Sequence, residues 1–151
     1  MPIGRDAASF RLCYHTGKNM DRTTSRTVIY PDNPILLVDD ERQSLQLLNT
    51  VLRSDGITHV LASQSGDEIP ALLEQHDIDV VLLDIDLPGK SGMELLPDII
   101  DGYPDVSVIM VTGSDDVGTA VECMRLGAVD YILKPIEQAR LLATVRRCLE
   151  I

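Results

Sequence analysis

From Pro34 onward the chain repeats one pattern five times: a short apolar run, then a stretch whose apolar residues recur at helical spacing. Ile35 to Val38 is a β-type run, and Leu45, Leu48, Val51 and Leu52 line one helical face before Asp55-Gly56 stops it. Thr58 to Ala62 predicts a second strand, and about Asp67 to Gln75 a helix with Ile69, Leu72 and Leu73 inward. Val80 to Leu83 and Met93 to Ile100 form the third unit. Val106 to Val111 and Val117 to Leu126, ended by Gly127, form the fourth. Val129 to Leu133 is the fifth strand, and the last helix starts near Ile136 with Leu142, Val145 and Leu149 on one face. Five strand-then-helix units predict a parallel sheet covered on both faces, because right-handed crossovers place the helices there. Ligands of such sheets bind beyond the carboxyl ends of the strands.

Those ends carry chemistry. Strand one runs into Asp39-Asp40-Glu41, strand three into Asp84 with Asp86 two positions on, strand four into Thr112 and strand five into Lys134-Pro135. Two unit negative charges about 4 Å apart repel by roughly 4 kcal/mol at an effective dielectric near 20. Lys134 alone does not balance three carboxylates, whereas a divalent cation does. The ligands are all oxygen, with no His or Cys among them, and a shallow open site favours Mg²⁺ over Ca²⁺. A metal, an ammonium, a hydroxyl and a carboxylate nucleophile are the parts of phosphoryl transfer.

Composition narrows the rest. A length of 151 residues fits one domain with an ordinary core. Residues 1–34 show no sustained period and end in the turn-forming Pro31-Asp32-Asn33-Pro34, so they read as a disordered leader ahead of a folded domain at 35–151. The leader holds five Lys/Arg and three Asp/Glu; the remaining 8 basic and 21 acidic residues give the folded part a net charge of −13. Such a body repels phosphate backbones, which argues against direct nucleic-acid binding. Cys13, Cys123 and Cys148 form no paired or metal-ligand spacing, and no apolar run approaches membrane length, so a cytoplasmic location is expected. His15, His59 and His76 share no pattern and are expected at the surface.

Four segments, ILLVDDE at 35–41, LLDIDLPGKSGMELL at 82–96, VIMVTG at 108–113 and GAVDYILKP at 127–135, resemble the motifs of two-component response-regulator receiver domains in order and spacing. The resemblance covers essentially all of residues 35–151. It implies an α/β (βα)5 fold, a doubly wound, flavodoxin-like three-layer sandwich with strand order 2-1-3-4-5. Asp84 would then be the phosphoacceptor, charged by a histidine kinase or phosphotransfer protein, in a signalling module rather than an enzyme. Mg²⁺ would be bound by Asp40, Asp84 and the backbone carbonyl of Asp86, with Asp39 acting mainly through a water. Lys134 would pair with phosphoryl oxygens, Thr112 would turn its hydroxyl onto one of them, Tyr131 matches the switch aromatic, and the Lys134-Pro135 bond would be cis. The output, and a possible homodimer contact, would be the face of helix four, strand five and helix five. The 111–135 segment is most like receivers of ATPase-type transcription activators or hybrid kinases.

Blander readings exist for each residue alone: Asp39 or Asp40 as a helix cap, Asp84 as the start of an Asx turn, Tyr131 as core. Only the set together points to chemistry. Two departures from the family pattern stand out: the acidic Asp86 at the mouth of the site, where it would tune metal affinity or phosphoryl lifetime, and the long leader. Asp84-Ile85-Asp86 also resembles the nucleophile motif of haloacid-dehalogenase-type phosphatases. That family, however, has its acidic metal motif after its lysine, and here Asp40 precedes Asp84 by 44 residues while only 17 residues follow Lys134. A degenerate receiver, binding partners without phosphorylation, is the other alternative; such receivers usually lose an acidic residue, the acceptor or the lysine, and all are kept here.

Overall fold

A computed structural model describes residues 33–149. Five strands, β1 (Ile35–Val38), β2 (Val60–Ser63), β3 (Val80–Leu83), β4 (Ser107–Thr112) and β5 (Asp130–Leu133), form one parallel sheet in the order β2-β1-β3-β4-β5. The helices are α1 (Arg42–Ser54), α2 (Ile69–Gln75), α3 (Gly92–Gly102), α4 (Val117–Arg125) and α5 (Gln138–Leu149). The expected fold is therefore the observed one.

Parallel strands covered on both faces must be apolar throughout, and β1 and β3 are fully buried along their length. Their alternate residues feed two clusters. Leu36, Val38, Val81 and Leu83 join Ile69, Leu72, Leu96, Ile99 and Cys123 under α2, α3 and α4. Ile35, Leu37, Val80 and Leu82 join Leu45, Leu48, Leu52, Leu141 and Val145 under α1 and α5. Each such side chain, fully buried, stabilises the fold by about 1.5–3 kcal/mol.

The element ends differ from the sequence expectation for identifiable reasons. β2 begins at Val60, not Thr58, because Val60 is the partner of Ile35, the first residue of β1. The Ile35 N–H donates to the His59 carbonyl at 3.0 Å, and Pro34 has no N–H with which to add another rung. The second helix is split: Gly66–Glu68 forms a 3₁₀ turn, and α2 proper starts only at Ile69, with Pro70 in its first turn. In α5 the fully buried leucine is Leu141, whereas Leu142 is half-buried. His59 and His76 are half-buried rather than fully exposed. The expected disorder of the leader falls on residues outside the described ones, apart from Asn33 and Pro34.

α3 opens with a reciprocal cap: Ser91 Oγ accepts from the Glu94 N–H and a Glu94 side-chain oxygen accepts from the Ser91 N–H. α4 is capped by Asp116, which accepts from the Thr119 N–H at 2.8 Å. Among the described residues no helix is long and apolar enough to cross a membrane.

Candidate functional site

The ladder carries its last rungs one residue past the strands. The Asp39 N–H donates to the Ser63 carbonyl (3.1 Å), that of Asp84 to the Val38 carbonyl (3.0 Å) and that of Lys134 to the Thr112 carbonyl (2.9 Å). The backbone of all three residues is thus fixed by the sheet, and their side chains share its carboxyl edge. Asp39 and Asp84 are buried, 1% and 5% exposed, and Asp40 beside them is exposed. Carboxylate oxygens of Asp39, Asp40 and Asp84 lie within 4.8 Å of one another.

Each buried carboxylate is held at both oxygens. Asp39 Oδ1 accepts from the Glu41 N–H at 2.9 Å, and Asp84 Oδ1 from the Asp86 N–H at 3.2 Å. The Lys134 ammonium donates to Asp39 Oδ2 at 2.6 Å and to Asp84 Oδ2 at 3.2 Å. The Asx-turn reading of Asp84 holds, and the second oxygen of the same carboxylate faces Lys134. The cap reading of Asp39 and Asp40 fails: Glu41 is the N-cap of α1, with no side-chain cap bond.

The same device recurs along the sheet edge. Ser63 Oγ accepts from the Ser65 N–H at 3.1 Å and Thr112 Oγ1 from the Ser114 N–H at 3.3 Å. Four neighbouring strands thus end in a side-chain oxygen that turns the backbone over within two residues. Thr112 is fully buried, and the Tyr131 hydroxyl donates to the Ser114 carbonyl at 2.8 Å. One residue, Ser114, therefore touches Thr112 through its N–H and Tyr131, whose ring is half-buried against the α2–α4 cluster, through its carbonyl.

Electrostatics follow from burial. Burial pushes the Asp39 carboxyl above the ordinary carboxylate range, against the hydrogen bonds from Lys134 and the Glu41 N–H, and the nearby Asp84 charge adds to the rise. Burial on its own would lower Lys134, but the hydrogen bond and charge of Asp39, then those of Asp84, hold its ammonium above the usual lysine range. The two directions differ from a simple ion pair, in which the acid would fall. Here one cation serves two carboxylates, so the cation is over-stabilised while the deeper carboxylate is under-compensated.

That deficit bears on a cation. Three carboxylates against one ammonium form an oxygen-rich cluster short of positive charge, and Asp40, exposed at its edge, keeps it open to solvent. The donor set fits Mg²⁺. Asp86 is exposed at the rim, as expected, and the Lys134-Pro135 bond is cis.

Close packing fixes the turn after β3. A Cβ on Gly92 would clash with the Asp84 carbonyl oxygen and lie 2.8 Å from Ile85 Cα, so the start of α3 rests directly on the backbone at the end of β3. Several contributors escaped the sequence reading. Ser44 accepts from Lys134 at 3.2 Å, Gln64 donates to the Asp40 carbonyl at 3.0 Å, and Ser114 joins Thr112 to Tyr131. For Ser44 the available signal was its spacing of three from Glu41, one helical turn.

Comparison with known proteins agrees with this geometry. The family profile described as the response regulator receiver domain matches residues 35–146. The chain is 35% identical over 113 residues to the response regulator protein FleR of Pseudomonas aeruginosa, an alignment covering 75% of this chain and 24% of that protein. It thus spans about a quarter of the length of that curated relative. Its fold is similar to the CheY-like receiver domain protein of Methanospirillum hungatei JF-1, with TM-score 0.71 and 32% identity over 78% of this chain and 93% of that one. The receiver domain of NtrX from Brucella abortus gives TM-score 0.71 and 33% identity over 76% and 97%.

Proposed function

The chain belongs to the response regulator receiver domain family of two-component systems, and from that membership we propose that it accepts a phosphoryl group on Asp84 from a histidine kinase or phosphotransfer protein. The observation that supports this most is Asp84 itself, buried at the end of β3 with Oδ1 on a backbone N–H, Oδ2 on Lys134, and Asp39 and Asp40 alongside.

In the proposed step a carboxylate oxygen of Asp84 attacks phosphorus as the donor's P–N bond breaks. The electron pair returns to the imidazole nitrogen, and a P–O bond forms on Asp84. Lys134 stays protonated and exchanges its contact with Asp84 for one with a phosphoryl oxygen, while Asp39 keeps it in place. Mg²⁺ held by Asp40, Asp84 and the Asp86 carbonyl, with Asp39 through a water, would neutralise charge on the transferred group. Thr112 supplies a hydroxyl donor, and its bond to Ser114 passes any movement to Tyr131 and the loop before α4. On this reading the module switches rather than turns over substrate.

The output is read from α4, β5 and α5, where Val117, Val121, Met124 and Leu133 are exposed. This face is where a homodimer or a downstream partner would sit. The acidic body repels phosphate backbones, so this module makes no direct nucleic-acid contact on this reading, and the protein works in the cytoplasm.

The test is intact mass after incubation with Mg²⁺ and acetyl phosphate, for wild type and Asp84→Asn. We expect a labile gain of one phosphoryl mass that needs Mg²⁺ and is lost in the variant. A folded wild type that gains nothing would instead be an interaction module regulated by other means.

A further inference from the structure

The Lys134 ammonium has three N–H bonds, and each has a destination. Asp39 Oδ2 lies at 2.6 Å, Asp84 Oδ2 at 3.2 Å and Ser44 Oγ at 3.2 Å. Ser44 approaches from the first turn of α1, whereas both carboxylates come from the strand ends. Its own proton goes to Glu41 Oε1 at 3.1 Å, which leaves a lone pair facing Lys134. The Glu41 carboxylate is only 3.7 Å from the same ammonium, and its side chain is 67% exposed.

We propose that Ser44 is a positioning residue for Lys134, holding the ammonium over Asp84 and keeping Glu41 from drawing it outward. The inference rests on the phosphoacceptor reading of Asp84. When the phosphoryl group arrives, Lys134 gives up its bond to Asp84 Oδ2, and two anchors remain. Asp39 holds it from the sheet edge and Ser44 from the helix. A neutral hydroxyl suits the second anchor. It takes a hydrogen bond without adding another negative charge to a cluster already short of positive charge. Without it, the nearest acceptor on that side is Glu41, a full carboxylate reaching in from solvent. The ammonium then shifts toward Glu41 and away from the reacting oxygen, and the misplacement lowers the rate of transfer.

Ser44→Ala, Ser44→Thr and the double variant Ser44→Ala/Glu41→Gln test this. Alanine within a helix is at least as favourable as serine, so loss of α1 is not a concern. With acetyl phosphate and saturating Mg²⁺, Ser44→Ala should reduce the maximal rate of Asp84 phosphorylation about fivefold, with the half-saturating acetyl phosphate concentration within about twofold of wild type. Ser44→Thr, which keeps a hydroxyl, should restore the rate, and Glu41→Gln should restore part of it in the Ala background. Independently of activity, ¹⁵N-resolved NMR of the Lys134 ammonium in metal-free protein should show faster hydrogen exchange in Ser44→Ala than in wild type or Ser44→Thr. A full-rate Ser44→Ala protein, a Thr variant as slow as the Ala one, or unchanged ammonium exchange would each overturn the proposal. If wild type itself takes no phosphoryl group, the acceptor reading falls and the catalytic half of the proposal with it; ammonium exchange then decides whether Ser44 holds Lys134.

Discussion

Asp39 and Asp84 leave adjacent central strands with the same pair of hydrogen bonds, Oδ1 on the N–H two residues on and Oδ2 on the Lys134 ammonium. One cation thus joins two buried carboxylates. Lys134→Met keeps the stem and deletes the charge, leaving the two acids to repel each other. In metal-free buffer it should cost about 1–3 kcal/mol of stability, a range set by the ammonium being partly solvent-accessible. Millimolar Mg²⁺ should then raise the Tm of the variant more than that of wild type, since the ion supplies the missing charge. Thermal unfolding with and without Mg²⁺ measures both effects, and equal Mg²⁺ gains would count against a shared cation site.

Gly92 has no room for a side chain. The obstacle is the Asp84 carbonyl and the Ile85 backbone, neither of which is free to swing aside. Gly92→Ala should therefore lose about 2–4 kcal/mol in urea unfolding and slow phosphorylation of Asp84 by displacing the turn beneath it. Gly102→Ala is the control, because nothing lies within 4 Å of the added methyl group.

Asp130 carries the clearest pH dependence away from the site. Burial would raise its pKa, but the Tyr131 N–H, the Thr144 hydroxyl and Arg140 together hold the carboxyl below the usual range. Its folded value is thus below its unfolded value of about 3.9, so unfolding binds a proton at acid pH. The stability it contributes is complete above the unfolded value and drains away as pH falls through the folded one. The stability difference between wild type and Asp130→Asn should be flat above about pH 5 and shrink below it. Urea titrations at a series of pH values will show this, and a difference that grows on acidification would contradict the assignment.

Tyr131→Phe removes only the bond to the Ser114 carbonyl. A stability loss of about 1 kcal/mol or less is expected, with the phosphorylation rate within about twofold of wild type, because Lys134 and Asp84 keep their partners. The amide signal of Ser114 should nonetheless move in a ¹H–¹⁵N spectrum, since the residue whose carbonyl loses the bond also holds Thr112 through its N–H. An unmoved Ser114 signal would break the proposed link between Thr112 and Tyr131.

Much of this was legible because the strands are short and apolar and the chemistry begins where each run stops. Asp39, Asp84, Thr112 and Lys134 could be placed on one edge from the alternation alone, while the order of the strands came only with the family resemblance. Contacts made by helices onto that edge were not legible. Ser44 reads as an ordinary helix residue until α1 is docked, and Gly92 as a turn residue until α3 lies against Asp84. The boundary of β2 depended on Pro34 through pairing with a strand distant in sequence. The shared turn at Asp39, Ser63, Asp84 and Thr112 was hidden because three different residue types perform it.

The position of β1 bears on how the molecule is made. Ile35 pairs with Val60 on one side and with Val80 on the other, and its strand feeds alternate side chains to both cores. A chain emerging from the ribosome exposes the β1, α1 and β2 segments first and leaves β1 without its second neighbour until β3 arrives. Neither core has its central backing before then, so the two layers should be gained and lost as one cooperative unit. A nascent chain stopped short of Val80 would present an open sheet edge, a target for quality control, at the strand that leads into Asp39.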